Sequence, residues 1–118
     1  MACLVANLSS GKGTLAHVSR VIDDVEWENI FLIVTKDVKA AFVPNKKVEY
    51  IIIDESRHTS DLTDDIISKL RGKILDTEVA LNMISGNGKE HMATLSALLK
   101  LGLGVRLVAL TVNGVREI

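Results

Sequence analysis

The sequence predicts an α/β domain built on a parallel sheet. Short apolar runs of strand length alternate with amphipathic segments of helical period along the 118 residues, and this alternation is typical of strand–helix–strand units. Hydrophobic residues make up 47% of the chain, and 14 Lys and Arg nearly balance 15 Asp and Glu. This composition indicates a single globular domain over residues 1–118, with no overall charge that would attract DNA or an anionic membrane.

Five apolar runs are predicted to form parallel strands, because each is rich in Val, Ile or Leu and ends at turn residues. They cover residues 2–8, 29–35, 48–54, 78–84 and 105–112. The pair Asn113-Gly114 is a strong hairpin signal. Residues 115–118 are therefore expected to fold back as a sixth, antiparallel strand.

Helices are predicted where apolar side chains recur every three to four residues. The first spans residues 14–24, a short second lies within 37–42 and is closed off by Pro44, and Ser60 is the expected N-cap of the third. The side chains expected to face the core are Leu15, Val18, Val21 and Ile22 in the first helix, Leu62, Ile66, Ile67 and Leu70 in the third, and Met92, Leu95, Leu98 and Leu99 in the fourth.

Strands and helices in this order predict a three-layer Rossmann-like sheet with right-handed crossovers. The expected strand order is 3-2-1-4-5, with the hairpin strand at one edge. This order reverses between the first and fourth strands, and ligands of such sheets bind beyond the carboxyl ends of the strands at the reversal. A binding site is therefore expected where those two strands end.

Two loops with the same pattern, N-x-x-S-G-x-G, follow the first and fourth strands. Loop 1 reads Asn7-Leu8-Ser9-Ser10-Gly11-Lys12-Gly13, and loop 2 reads Asn82-Met83-Ile84-Ser85-Gly86-Asn87-Gly88. Glycines let the backbone approach a ligand closely, and free N–H groups at the start of the following helix favour an anion. Because Lys12 and Lys89 add positive charge, the loops predict a phosphate or phosphodiester site. Turns that bind nothing also favour glycine and serine, and this alternative stays open.

Familiar nucleotide and catalytic motifs do not fit the chain. A P-loop would need glycine where Ala6 stands and a hydroxyl residue where Gly13 stands. The dinucleotide fingerprint would need a third glycine where Ala16 stands, although alanine is sometimes accepted there. The sequence has no G-x-S-x-G elbow of a serine hydrolase, and its His and Cys residues lack metal-ligand spacing. We therefore expect neither a metal nor a cofactor.

Loop 2 and the segment after it resemble a known family. Residues 82–92, NMISGNGKEHM, are followed by a long apolar helix and the strand over 105–111. This stretch is similar to the N-x-[ST]-G-G-x-K-x-M signature of the CRISPR-associated Rossmann-fold (CARF) sensor domains, and the parallel sheet, loop 1 and the terminal hairpin resemble that family too. The chain departs from the signature by one extra residue between Asn82 and Lys89, and by Asn87-Gly88 in place of the usual order.

The resemblance implies a homodimer that binds a cyclic oligoadenylate, a second messenger of antiviral defence, across its two-fold axis. The residues expected to bind it are Asn7, Ser9, Ser10, Gly11, Lys12, Gly13, Asn82, Ser85, Gly86, Asn87, Gly88 and Lys89. The 118 residues leave no room for an effector domain, so a sensor would act through a separate effector protein. A symmetric dimer suits a symmetric ring, because one surface is used twice.

Two other functions stay open beside the sensor. The first is a metal-independent ring nuclease, in which a ribose 2′-hydroxyl attacks the adjacent phosphate. Lys89 would then stabilise the developing charge, and Ser9 or Ser10 would position the ribose or phosphate. The second is a structural or interaction domain with no nucleotide ligand.

Several single residues are further candidates. His17 and His91 lie near the loops in sequence, where either could act as an acid or base near neutral pH. Arg57 and His58 follow the third strand, and Arg57 is a candidate phosphate contact. Asp54 ends that strand, where it could accept a ribose hydroxyl or, more simply, form a turn.

The remaining features concern the compartment and the core. Cys3 has no second cysteine to pair with and lies in an apolar strand, so we expect a buried thiol and a reducing compartment. The N-terminal segment lacks the basic region of a secretory leader, which predicts a cytoplasmic protein. Trp27 is expected to pack against the start of the second strand.

Overall fold

The computed structural model describes residues 2–9 and 12–118. Along them lie six strands and four helices. The strands are β1 (Cys3–Leu8), β2 (Asn29–Val34), β3 (Glu49–Ile52), β4 (Glu78–Asn82), β5 (Gly104–Thr111) and β6 (Gly114–Glu117), and the helices are α1 (Lys12–Asp24), α2 (Lys36–Ala41), α3 (Thr59–Leu70) and α4 (Gly88–Lys100). Each predicted element is present, with ends that differ by a few residues at most.

The strands form one six-stranded sheet in the order β3-β2-β1-β4-β5-β6. All neighbours are parallel except β5 and β6, which form the antiparallel hairpin. The predicted fold class and strand order are confirmed. In β1, Leu8 lies opposite Val34 of β2, and Ala6 lies opposite Asn82 of β4. The ends of these three strands therefore meet at one edge of the sheet.

The core has two layers, one on each face of the sheet. Val5, Phe31 and Leu81 point to the face that α3 and α4 cover, and Leu4 and Leu32 point to the opposite face, on which α1 packs. Successive side chains of a strand alternate between faces, so a strand covered on both sides must be apolar throughout. Each Val or Leu buried in this way contributes about 1.5–3 kcal/mol. The two layers thus bury the strands from both faces of the sheet.

Two expected core residues of the sequence lie where they were predicted. Cys3 is buried with a free thiol. Trp27 is half-buried against the core layer on the α1 face, and its indole N–H donates to the carbonyl of Val21 at 2.9 Å. That bond satisfies the one polar atom of the indole.

The start of α3 differs from the prediction. Thr59 is already helical, and the carbonyl of His58 accepts the first helical hydrogen bond from the N–H of Leu62 at 3.0 Å. His58 is therefore the N-cap residue, and the prediction of Ser60 in that role is wrong. Ser60 is the second residue of the helix and therefore lies beyond the N-cap position.

The buried face of α4 also differs from the prediction. Ala93, Ala97 and Leu98 are buried, whereas the side chains of Met92 and Leu99 are 68% and 58% exposed. Small alanines face α3 and the sheet because close packing of two helices on one sheet leaves little room there. Met92 and Leu99 lie on the outer side of the helix, whereas Leu98 is buried as predicted and Leu95 packs against the core.

On the described residues we find no helix with both the length and the apolar character needed to cross a membrane.

Candidate functional site

Loop 1 and loop 2 lie side by side at the carboxyl edge of the sheet. The backbone N–H of Ser9 donates to the hydroxyl of Ser85 at 3.1 Å, and the hydroxyl of Thr14 donates to the same oxygen at 3.2 Å. Ser85 is fully buried and Ser9 is 7% exposed. The predicted convergence of the two loops is confirmed, and two of the predicted ligand-binding serines join the loops to each other.

The other predicted binding residues of loop 1 are Ser10, Gly11, Lys12 and Gly13. Ser10 and Gly11 lie outside the described residues. Lys12 and Gly13 open α1, so the start of this helix lies at the carboxyl edge, as the sequence predicts.

Loop 2 ends in a capping box at the start of α4. The side chain of Asn87 accepts the N–H of Glu90 at 2.9 Å, and Glu90 Oε1 accepts the N–H of Asn87 at 2.9 Å. Two of the N–H groups that a helix start leaves without partners are thereby satisfied. Gly88 is the first residue of the helix, and both Asn87 and Gly88 are exposed.

Gly86 adopts a backbone conformation that glycine alone accepts readily. Its φ is +103°, and a Cβ placed on it would lie 2.7 Å from Glu90 Oε1 and 3.2 Å from the hydroxyl oxygen of Ser9. L-residues are strained at positive φ. The loop therefore requires glycine here both for its turn and for the close approach of the Glu90 carboxylate.

Glu90 is the site residue that the sequence reasoning missed. Its side chain is 2% exposed, and Oε1 accepts hydrogen bonds from the Ser9 hydroxyl at 3.1 Å and from the Asn87 N–H. Oε2 is buried too and accepts no hydrogen bond from the described residues. The signal was present as the spacing N-x-x-E in Asn87 to Glu90, which is a capping-box pattern. The structure extends the box to a third partner, because Ser9 comes from the other loop.

Asn7 and Asn82 occupy the same place in the repeated pattern but point to opposite faces of the sheet. Asn7 donates through Nδ2 to the hydroxyl of Thr94 on α4 at 2.9 Å. Asn82 donates through Nδ2 to the carbonyl of Val108 at 2.9 Å, and the same nitrogen lies 3.2 Å from His17 Nε2 on α1. Each asparagine thus binds the helix that follows the other strand. Both are at most 2% exposed, so in this arrangement they fix the loops rather than face a ligand.

Lys89 lies at the surface between loop 2 and the segment after β3. Its Nζ donates to the backbone carbonyls of Glu55 and Arg57, at 2.5 and 2.9 Å. Both partners are neutral, and none of the ion pairs seen between described residues involves Lys89. The ammonium group is therefore positioned by two hydrogen bonds, and no carboxylate in the described part of the chain pairs with its charge.

His17 connects α1 to β5 through one ring nitrogen. Nε2 accepts the backbone N–H of Leu110 at 3.2 Å, which requires that nitrogen to be unprotonated. Burial lowers the pKa of His17 below its ordinary value of 6.5. The unfolded chain therefore binds a proton more readily than the folded one, and the stability that neutral His17 contributes is complete above pH 6.5 and decreases as the pH falls through the lowered folded-state pKa.

We expect this pH dependence to be reduced in His17→Gln, since the glutamine carbonyl can accept the same N–H and does not titrate. The measurement is urea unfolding at a series of pH values from neutral to mildly acidic, compared between the wild type and the variant. An identical loss of stability on acidification in both proteins would contradict the assignment to His17.

The other two histidines have separate positions. His91 Nε2 lies 2.8 Å from the carbonyl oxygen of Ser85, to which it donates. His58 is exposed at the start of α3. Of the three histidines, His17 and His91 are thus engaged in hydrogen bonds at the loops, and His58 is not brought to them.

A cavity of about 640 Å³ lies beyond the carboxyl ends of β2 and β3. Thr35, Lys36 and Asp37 line it after β2, and Asp54 and Arg57 line it after β3. Asp54 and Arg57 are candidates from the sequence, whereas the lining residues after β2 were missed. Their signal was the change from an apolar run to Thr-Lys-Asp at the end of a strand, at the sheet edge where ligands of this fold bind.

A comparison of the chain with models of protein families finds no match, and a comparison with curated proteins finds none either.

Proposed function

We propose that this chain is a sensor that binds a cyclic oligoadenylate at the carboxyl edge of its sheet. The observation that carries the proposal is the contact between two glycine- and serine-containing loops at the reversal of strand order. Next to them lies the Lys89 ammonium group, which forms no ion pair with a carboxylate of the described residues. Phosphodiesters are anions, and backbone N–H groups together with a positioned lysine are the groups that bind them.

The charges of the site support an anionic ligand. The Glu90 carboxylate is turned inward, where it accepts hydrogen bonds from Ser9 and Asn87. Lys89 lies outward, held by carbonyls. Water and salt screen an exposed charge. Lys89 therefore contributes to the affinity for an anion through its position beside the loops and not through a long-range field.

A second copy of the chain is part of the proposal. Six apolar side chains, which we call the outer apolar face, lie on the outer side of α4, on β5, in loop 2 and directly after β6: Met92, Leu95, Leu99, Leu107, Ile84 and Ile118. Four of them are at least 46% exposed, and contiguous exposed apolar area marks an interaction surface. Ile84 belongs to loop 2, so a two-fold axis through this face brings two copies of the loop together, and a cyclic ligand can use both.

Binding without cleavage is favoured over a ring nuclease by the engagement of the polar groups. The hydroxyl hydrogen of Ser9 is donated to Glu90, and the lone pair of His17 Nε2 accepts the N–H of Leu110. A general base must have a free lone pair within reach of the 2′-hydroxyl. A sensor needs none, and we propose this role in the cytoplasm, with a separate effector protein as the recipient of the signal.

The test is incubation of the purified protein with cyclic tetra-adenylate, cyclic hexa-adenylate and, as a control, linear tetra-adenylate. We expect a rise in Tm of several degrees with one of the cyclic ligands at concentrations far above its Kd, an intact ring by chromatography, and the molar mass of a dimer. Linear products would assign the chain to the ring nucleases instead. If neither cyclic ligand changes Tm, the proposal is wrong and a domain without a nucleotide ligand remains.

A further inference from the structure

The cavity beyond β2 and β3 lies beside the end of β1, where loop 1 begins. In the register of the sheet, Leu8 lies opposite Val34, and Val34 lies opposite Ile52. The residues that follow these three positions therefore also lie side by side. They are Ser9 of loop 1 after β1, and Thr35 after β2 and Ile53 after β3, which both line the cavity. Neighbouring strands lie about 4.8 Å apart, so a group bound at loop 1 and a group in the cavity can belong to one small molecule.

Lys89 connects the segment after loop 2 to the segment that lines the cavity after β3. The carbonyls that accept its hydrogen bonds belong to Glu55 and Arg57, and both residues line the cavity. The proposed phosphate-binding lysine and the cavity thus share one wall. A phosphate on Lys89 would place the sugar attached to it at the mouth of the cavity.

Asp54 presents a fixed carboxylate in this cavity. Its Oδ1 accepts the N–H of Ser56 at 3.0 Å and the hydroxyl of Ser56 at 2.7 Å, which confirms the expected turn. Its Oδ2 takes part in no hydrogen bond between the described residues. The hydrogen bonds from Ser56 hold the pKa of Asp54 below its ordinary value, assisted by the positive charges of Arg57 and Lys36. The carboxylate is therefore ionised at neutral pH and can accept a further hydroxyl proton.

The rest of the lining suits a nucleoside. Asp37 is a second carboxylate, with its pKa lowered by a hydrogen bond from the Thr35 hydroxyl, and Ile52 and Ile53 supply apolar surface. A volume of about 640 Å³ is within the range of sites for small organic ligands. Carboxylates at strand ends of such sheets recognise ribose hydroxyls. In a 3′–5′-linked ring, the 2′-hydroxyl is the hydroxyl that each ribose keeps.

We propose that this cavity is the nucleoside subsite and that Asp54 accepts a hydrogen bond from a ribose 2′-hydroxyl. The assignment rests on the proposed function, since the phosphate on the loops positions the ribose. It adds a specificity: the chain distinguishes an oligoribonucleotide ring from its deoxy analogue. Asp54 is then a ligand-binding residue with a defined partner atom.

The test compares cyclic tetra-adenylate with its 2′-deoxy analogue on the wild type, on Asp54→Asn and on Asp64→Asn. Asp64 is an exposed carboxylate of α3 that does not line the cavity, so it controls for the loss of one negative charge. We expect the wild type and Asp64→Asn to bind the ribose ring at least about tenfold more tightly than the deoxy ring, as for a hydrogen bond to a charged acceptor. Asp54→Asn should reduce that ratio to about threefold or less.

The outcomes separate this inference from the proposed function. If the wild type binds both rings equally, or if Asp54→Asn keeps the full preference, the subsite is wrong although the sensor stands. If no ring binds, the proposed sensor function is wrong. The nucleoside subsite is then tested by titrating adenosine 5′-monophosphate into ¹⁵N-labelled protein. Amide shifts centred on residues 35–37 and 53–57 would support a nucleoside subsite, and their absence at millimolar nucleotide would overturn it.

Discussion

Gly86→Ala is expected to lower the free energy of unfolding by about 2–5 kcal/mol, a large part of the stability of a domain of this size. A non-glycine residue at positive φ costs about 1–2 kcal/mol. The new methyl group would also lie 2.7 Å from Glu90 Oε1, and relief of such contacts in a packed region costs about 1–3 kcal/mol. The measurement is urea unfolding, in which the midpoint should fall and the slope m should stay unchanged.

Gly88→Ala is the matched control for this substitution. Gly88 belongs to the same loop, its φ is not positive, and a Cβ there meets nothing within 4 Å. Because it is the first residue of α4, alanine should leave stability unchanged or raise it by up to about 1 kcal/mol. Equal effects of the two substitutions would show that neither the turn of Gly86 nor the contact with Glu90 matters for the fold.

Lys89→Gln is expected to weaken the binding of cyclic tetra-adenylate by roughly 10- to 100-fold, the effect of removing one charged hydrogen bond. Glutamine can still donate to a backbone carbonyl near Glu55 or Arg57, so the variant removes the charge and not the local packing. The remaining affinity should also depend less on salt concentration, since one cation no longer contacts a phosphate. Isothermal titration calorimetry at two salt concentrations measures both effects.

Lys47→Gln provides the comparison, because Lys47 is an exposed lysine before β3 and lies at the opposite edge of the sheet. The Lys47→Gln variant should bind cyclic tetra-adenylate as tightly as the wild type. If Lys89→Gln and Lys47→Gln have the same affinity while unfolding curves show both to be folded, then Lys89 does not contact the phosphate. In that case its hydrogen bonds to the two carbonyls are its whole role.

The candidate site was predictable to the level of its loops. A short pattern within seven residues sufficed to locate loop 1 and loop 2, and the reversal of strand order placed them side by side. The direction of each side chain was not predictable in this way. Asn7 and Asn82 occupy the same place in the pattern, yet one binds Thr94 and the other lies against His17. The register pairs Asn82 with Ala6, so Asn7 lies one residue further along and points to the opposite face of the sheet.

The buried face of α4 shows the same limit in a helix. Helical period groups Met92 with Leu95 and Leu99, and it equally groups Ala93 with Ala97. Hydrophobicity alone favours the larger side chains for the core. Packing against α3 and the sheet places Ala93 and Ala97 beside Leu98 in the core and leaves Met92 and Leu99 outside, since a close-packed interior accepts side chains by volume as well as by polarity.

The sequence by itself determined the strands, the hairpin and the order of the sheet, because these follow from patterns within each segment and from the handedness of the crossovers. Tertiary structure decided what the polar groups do. Lys89 contacts a carbonyl 34 residues away, Asn7 a hydroxyl 87 residues away, and Ser9 a carboxylate 81 residues away. Such contacts depend on how the finished layers pack, and no local pattern encodes which of two neighbouring polar groups a side chain will meet.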